Sequence, residues 1–319
     1  MEKADGRDTK NIHKNMRRQM KGNMKIIKEK IRYNYQVELY NLLSLVSAKK
    51  QKIVPTVRSI EETIQEIIIN HSSVSRFGDG EMLLIGGKSI RFQEQSEILS
   101  KRLAEVIRSQ HENHLVCISD SFEGLERYTR RARRFWRTHF YLFGHLWDTY
   151  LISGRSYYNT FITRPYMDFK LKTKSGSWFK MLKGVWNKRQ VIFIEGEKSR
   201  LGVGNDLFDN ASSIHRIICP PKNAFEKYDA ILEKALEQDK NVLFLIALGP
   251  TATVLAYDLY KAGYQAIDVG HVDIEYEWLR MGATHKVSIA SKYVNEALTG
   301  REIASPGEED YYRQIICTI

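Results

Sequence analysis

The sequence predicts an α/β fold, with a mostly parallel sheet covered by helices on both faces. Two observations carry that prediction. Short apolar runs of strand length recur along the chain, and segments of helical periodicity separate them, most plainly from Gln190 onward. No internal repeat or low-complexity stretch competes with it.

Taken in order, a basic helix comes first, from about Asn11 to Ser47. Ile26, Ile27, Ile31, Tyr35, Leu39, Leu42 and Leu43 recur on one face, and Lys25, Lys28, Lys30 and Arg32 lie on the other. Pro55 marks a boundary, giving an N-terminal extension over 1–54 and a main domain over 55–319. Ser59 and Glu62 then form a capping box that opens the helix SIEETIQEIII. VSRF follows as a short strand, EQSEILSKRLAEVIRSQ as a helix and LVCIS as a strand. Beyond Gln190 come the strand VIFI, a glycine loop, the strand IHRIIC and a helix from about Ala224 to Gln238. VLFLIAL, the helix TATVLAYDLYKAG and a last strand, QAIDVG, complete the pattern.

A chain of 319 residues that is 43% hydrophobic can bury one large core or two modest ones. Its net charge of +11 invites a nucleic-acid partner, but the charge is localised. Met1 to Lys52 holds 14 Lys+Arg against 5 Asp+Glu, and the remainder, with 35 against 33, is nearly neutral. Three widely spaced cysteines suggest neither a disulfide framework nor a zinc site, which fits a cytoplasmic protein. No run is long and apolar enough to span a membrane, and the opening MEKADGRDTK has no signal-peptide core. The basic helix leaves three partners open: the body of the protein, a second copy in a homo-oligomer, or peripheral contact with an anionic membrane.

Ligands of α/β sheets bind beyond the carboxyl ends of the strands, so the loops there hold the candidate residues. In SRLGVGND, Gly202 and Gly204 let the backbone approach a phosphate, and Ser199, Arg200, Asn205 and Asp206 flank them; a plain connecting turn is the alternative. In ALGPTAT, Gly249 and Pro250 open a helix whose first amides, at Thr251, Ala252 and Thr253, face an anion site; the alternative is an ordinary helix start. In GHVDIEYEW, Asp273, Glu275 and Glu277 point the same way if extended and supply a general base, but diverge as a solvated acidic helix start if helical. RFGDGE offers Asp79 and Glu81 around Gly80. On extended backbone both carboxylates converge on a hard divalent ion such as Mn²⁺ or Mg²⁺; a hairpin turn is the alternative.

RFGDGE, YYNTFITRPY, IEGEKSRLGVGNDLF, ALGPTATVLAYDL and GYQAIDVGHVDIEYEW, in this order, resemble the bacterial glycosyltransferases of the GT-D fold across roughly Ile60 to Tyr293. The resemblance implies a Rossmann-like nucleotide-sugar transferase. In it Asp79 and Glu81 bind Mn²⁺ and the donor is a UDP-sugar, typically UDP-glucose. The acceptor it implies is a glycan on a glycoprotein adhesin or a surface polysaccharide. On that basis Arg76 and Gly78, with the two loops above, belong to the nucleotide side, and Arg164, Tyr166 and His271 to the sugar or acceptor side. Glu275 is the expected base, with Asp273 orienting the acceptor or His271. The competing expectation is a non-catalytic module that grips RNA or an anionic membrane through the N-terminal helix and RYTRRARRFWR, where Arg127, Arg130, Arg131 and Arg134 share a face at helical spacing.

Overall fold

The computed structural model describes residues 35–46, 51–289, 292 and 309–319. It divides into two units, Met1–Lys50 with Arg134–Leu142, and Gln51–Arg133 with Phe143–Ile319.

In the smaller unit, 35–46 is helical (α1). The remainder of the predicted N-terminal helix, with its basic face, lies outside the described residues. Glu38 of α1 pairs with Arg134, and the Thr138 hydroxyl donates to the Val37 carbonyl at 3.2 Å. Tyr35, Leu39, Leu42, Leu45 and Val46 nevertheless stay exposed.

The larger unit holds one parallel sheet of nine strands. In chain order these are β1 (Thr56–Val57), β2 (Ser73–Arg76), β3 (His114–Ile118), β4 (Ser156–Asn159), β5 (Gln190–Gly196), β6 (Ser213–Cys219), β7 (Leu243–Ala247), β8 (Gln265–Asp268) and β9 (Ile315–Thr318). They lie side by side as β1-β4-β3-β2-β8-β7-β5-β6-β9. The inner strands β3, β5 and β7 are buried almost throughout, as strands covered on both faces must be.

Local sequence explains the helices that cover the sheet. The Ser59–Glu62 capping box forms, with the Glu62 N–H on the Ser59 hydroxyl at 3.1 Å, and starts α2 (Ile60–Asn70), which buries Ile60, Ile64 and Ile67. α3 (Asp79–Ile85) follows β2 after two residues. Ser96 caps α4 (Glu97–Arg108), whose Leu99, Leu103, Val106 and Ile107 enter the core. α6 (Ser175–Trp186) precedes β5; α5 (Arg130–Tyr150), whose residues 134–142 belong to the smaller unit, comes before it in the chain. The helix expected from Ala224 begins with a 3₁₀ turn, and its α-helical part, α7, spans Tyr228–Leu236. α8 (Pro250–Lys261) is buried along most of its length against β2 and β8. α9 (Val272–Arg280) follows β8, so QAIDVG is not the last strand; α10 (Glu309–Arg313) leads into β9 beside β6.

Two features of the topology place the site. β5 connects outward to β6 while its neighbour β7 connects the opposite way to β8, which makes a crevice at their carboxyl ends. β2 and β8 meet at the centre of the sheet, where the strands before and after Gln190 adjoin; their register there is a single pair, Val74 with Ile267.

Candidate functional site

The chain leaves β2 through Arg76, and this side chain is already engaged. Its Nε donates to the Asp268 carbonyl at 2.9 Å, Nη2 to the Asp268 carboxylate at 2.7 Å, and Nη1 to the Thr163 hydroxyl at 2.7 Å. Arg76 thus clamps β2 to β8 rather than extending toward a ligand. Gly270 admits the clamp, since a Cβ there would lie 1.9 Å from Arg76 Nη2. Asp268 is buried, and desolvation raises its carboxyl pKa against the pull of Arg76.

Asp79 and Glu81 occupy the first and third positions of α3, so the extended geometry that would aim both carboxylates one way is absent. The hairpin alternative is absent too. Glu81 turns back on its own helix start, where its Oε2 accepts the Gly78 N–H at 2.7 Å. Desolvation pushes its carboxyl up to about 7, the Gly78 N–H opposing and nearby Asp268 adding to the rise. Among the described residues no three His, Cys, Asp or Glu side chains cluster for a metal. Asp79 and Glu81 remain hard oxygen donors on one helix turn, the kind Mn²⁺ or Mg²⁺ prefers, so an ion at this helix start would draw on one or both of them and fill its shell from a ligand and water.

The glycine loop follows β5. Val203 N–H bonds the Arg200 carbonyl and Asn205 N–H the Gly202 carbonyl, each at 3.2 Å, giving two successive turns with Gly202 (φ 75°) and Gly204 (φ 79°) at their third positions. Among the described residues neither glycine N–H meets an acceptor, which leaves both amides for a ligand. The flanking side chains face elsewhere. Asn205 donates to Asp273 and Glu277, both at 2.7 Å, while Asp206 pairs with Lys183 at 2.6 Å and accepts from Tyr276 at 2.9 Å. Ser199 N–H closes a turn on the Gly196 carbonyl.

Pro250 takes the first position of α8 behind Gly249, as expected, yet the helix start is covered. Phe92 lies against Gly249, and Gln93 Oε1 accepts from the Thr251 hydroxyl at 3.4 Å. Thr253 donates to the Arg76 carbonyl at 3.0 Å, and Thr251, Ala252 and Thr253 are fully buried.

Asp273, Glu275 and Glu277 lie on α9, not on a strand, and they diverge. They are not solvated either, because all three are buried. Asp273 and Glu277, one turn apart, hold the buried Lys292 ammonium at 2.5 and 3.4 Å. Asp273 is thereby held by Lys292 and Asn205, while His271 Nδ1 sits 3.3 Å from Arg164 Nη2. Glu275 faces the 164–172 segment, where one oxygen, Oε2, accepts both the Tyr166 and Met167 N–H groups at 3.0 and 2.7 Å. Its Oε1 is buried without a hydrogen-bond partner among the described residues. Desolvation, reinforced by Asp168, pushes this carboxyl up to about 7. Tyr166 is itself buried and donates its hydroxyl to the Ala283 carbonyl at 3.0 Å.

Asp268, Lys292 and the Glu195–Arg216 pair behind the glycine loop carry much of this geometry without having been singled out in the sequence. Asp268 alone left a signal, an acid closing an apolar strand. The arginine-rich stretch is partly spent within the molecule. Arg127 precedes α5 instead of sharing its face, and it donates to the Asp120 carbonyl at 2.7 Å.

Residues 74–297 match the family model described as Glycosyltransferase GT-D fold. Over 285 residues the chain is 43% identical to "Probable glycosyl transferase Gly" of Streptococcus gordonii and 39% identical to "Glycosyltransferase GlyD" of Streptococcus pneumoniae serotype 4. These matches take in 89% and 88% of the chain but span only 41% and 35% of the relatives' lengths. A solved structure presented as the highly conserved domain of unknown function 1792, with a distinct glycosyltransferase fold, superposes with a TM-score of 0.80 at 42% identity. It covers 89% of this chain and 99% of its own. Another, a glycosyltransferase of the same domain type from Streptococcus sanguinis, gives 0.79 at 42% identity over 83% and 99%.

Proposed function

The chain belongs to the GT-D fold glycosyltransferases, and from that premise we propose that it moves a sugar from a UDP-sugar, UDP-glucose by family resemblance, to a hydroxyl of a glycan or glycoprotein acceptor. The observation that supports a nucleotide donor most directly is the pair of Gly202 and Gly204 amides, which meet no acceptor among the described residues and lie in the loop that leaves β5, a strand bordering the crevice. Backbone N–H groups in such a loop suit a diphosphate and need no side chain to do so.

Mn²⁺ or Mg²⁺ held by Asp79 and Glu81 would supply charge stabilisation to the departing nucleoside diphosphate. The chain's own contribution begins with Arg76, which through Asp268 and Thr163 fixes the strand end from which α3 starts. Glu275 is the candidate for taking the acceptor proton. A carboxyl near pKa 7 with one unpartnered oxygen has the basicity for that task at neutral pH. Because Glu275 is sealed from solvent, the Tyr166–Asp168 segment must shift for an acceptor to reach it. Arg164 and His271, bonded to each other beside it, are candidates to meet the acceptor or the sugar. Incubation with a panel of UDP-sugars and Mn²⁺, with and without glycan acceptors, should give acceptor-dependent UDP release; no release with any donor refutes the proposal.

For α1 the exposed apolar residues Tyr35, Leu39, Leu42 and Val46, within a segment rich in Lys and Arg, support the anionic membrane among the three partners. Among the described residues no helix is long and apolar enough to cross a membrane. Flotation with phosphatidylglycerol vesicles tests this. Leu39→Glu with Leu42→Glu should abolish flotation, and a shift in oligomeric state in its place points to a second copy.

A further inference from the structure

A buried charge network holds the glycine loop from behind. Glu195, at the carboxyl end of β5, is fully buried; its Oε2 accepts the Leu201 N–H at 2.7 Å and its Oε1 pairs with Arg216 of β6. Arg216, itself 3% exposed, donates Nη2 to the Leu201 carbonyl at 2.9 Å and Nε to the Gln314 side chain at 2.7 Å. Both backbone polar groups of Leu201 are thus fixed by one ion pair. Leu201 sits between two left-handed residues, Arg200 at φ 49° and Gly202 at φ 75°.

Tyr311 of α10 completes the arrangement. The guanidinium carbons of Arg216 and Arg200 lie 4.7 and 4.9 Å from its ring centroid. Guanidinium groups over an aromatic face are attracted by its quadrupole, and more strongly when water is excluded, as it is here with Arg200 and Tyr311 each 6% exposed. A non-glycine residue in the left-handed region is disfavoured, so the surroundings must hold Arg200 there. The Tyr311 ring is one of the surfaces its guanidinium lies against.

We propose that Tyr311 is a positioning residue for the donor diphosphate. By holding Arg200 and Arg216 it fixes Leu201, and through Leu201 the direction of the Gly202 and Gly204 amides. This rests on the glycine loop being the donor-phosphate site. Tyr311 touches no donor atom in this scheme, so its effect falls on donor binding and not on turnover.

Hydrogen–deuterium exchange and UDP calorimetry with Mn²⁺, on the full chain carrying Tyr311→Phe or Tyr311→Leu, test the proposal. Phenylalanine keeps the ring face, so exchange at Leu201–Gly204 and UDP affinity should stay within about twofold of wild type. Leucine fills space without a face. Exchange at those amides should rise, the UDP Kd should rise about tenfold, and kcat at saturating donor should change less than about twofold. Unchanged exchange and affinity in the leucine variant overturn the proposal, and so does exchange that rises throughout β5 and β7, which would make Tyr311 a residue of general stability. A wild-type chain that ignores UDP refutes the donor assignment of the loop and this role with it; a wild type that binds UDP leaves only Tyr311 in question.

Discussion

Two acidic stretches, Asp79-Gly80-Glu81 and Asp273 through Glu277, share one spacing and end in different surroundings. Each follows a strand at the centre of the sheet, and each winds into the first turns of a helix, so in neither do alternate acids point the same way. α3 leaves Asp79 and Glu81 half-buried at its start, Glu81 on the Gly78 N–H, and Arg76, the nearby arginine, is already bound to Asp268. α9 is driven inward by Val272, Ile274 and Trp278, and its acids are taken up by Lys292, Asn205 and the Tyr166 and Met167 amides. Spacing alone therefore says that charge is present. Whether the charge is available depends on what the rest of the chain brings against it.

The contrast is sharpest where the expected effects are largest. Asp79→Ala or Glu81→Ala should cut transfer by about 10³-fold or more, the first with thermal stability nearly unchanged and the second with the modest loss that goes with the Gly78 cap, because each removes a hard oxygen donor. Steady-state rates beside melting curves decide it, and full activity in both variants, with and without chelator, would leave α3 a purely structural helix start. Asp273→Ala should do the reverse. It strips the shorter contact from a buried ammonium and should cost about 3 kcal/mol of stability in urea unfolding; a variant as stable as wild type would mean that Glu277 and Asn205 suffice.

Glu275→Gln comes next and separates two roles. Glutamine keeps an oxygen for the Tyr166 and Met167 amides, since Oε2 accepts both, but it cannot take a proton. If Glu275 is the base, turnover falls about 10²-fold while UDP binding by calorimetry persists. Near-normal turnover assigns it to holding the 164–172 segment.

The smallest effect is on pH dependence. Glu81 and Glu275 both sit near 7 when folded, above the ordinary 4.5, so the folded chain binds their protons more tightly than the unfolded one. The stability this confers is complete below pH 4.5, fades as pH rises toward about 7 and is gone above it. Glu81→Gln should flatten that decline by about 1 kcal/mol, read from urea midpoints across the window. An unaltered slope would mean that Glu81 titrates as an exposed acid.

The sequence disclosed elements whose signal is local. The Ser59 capping box, the apolar strands β5 and β7, and the Gly249-Pro250 start of α8 all form as their residues predict. Less was legible where partners are distant in the chain. β4 is only SYYN, without an apolar run, and β9, though it reads IICT, is short and finds its place beside β6 only after a long separation. The candidate loops were found because ligand sites follow strand ends, but what each side chain does there was hidden. Arg76 resembles a phosphate ligand until Asp268 is placed 192 positions away, and Asp273 resembles an orienting group until Lys292 is buried against it.

Gly270 carries a consequence for how such chains can diverge. Its missing side chain is the space occupied by the Arg76 guanidinium, and a methyl group there would collide with Nη2. Alanine at 270 would have to push the guanidinium off Asp268 as well as hold a positive φ, which links position 270 to the residue at 76. A natural relative with alanine at 270 should carry a shorter residue than arginine at 76, and should join β2 to β8 by some other bond. Pairwise substitution statistics, collected over many relatives, should find this linkage between two residues that are nearly two hundred positions apart.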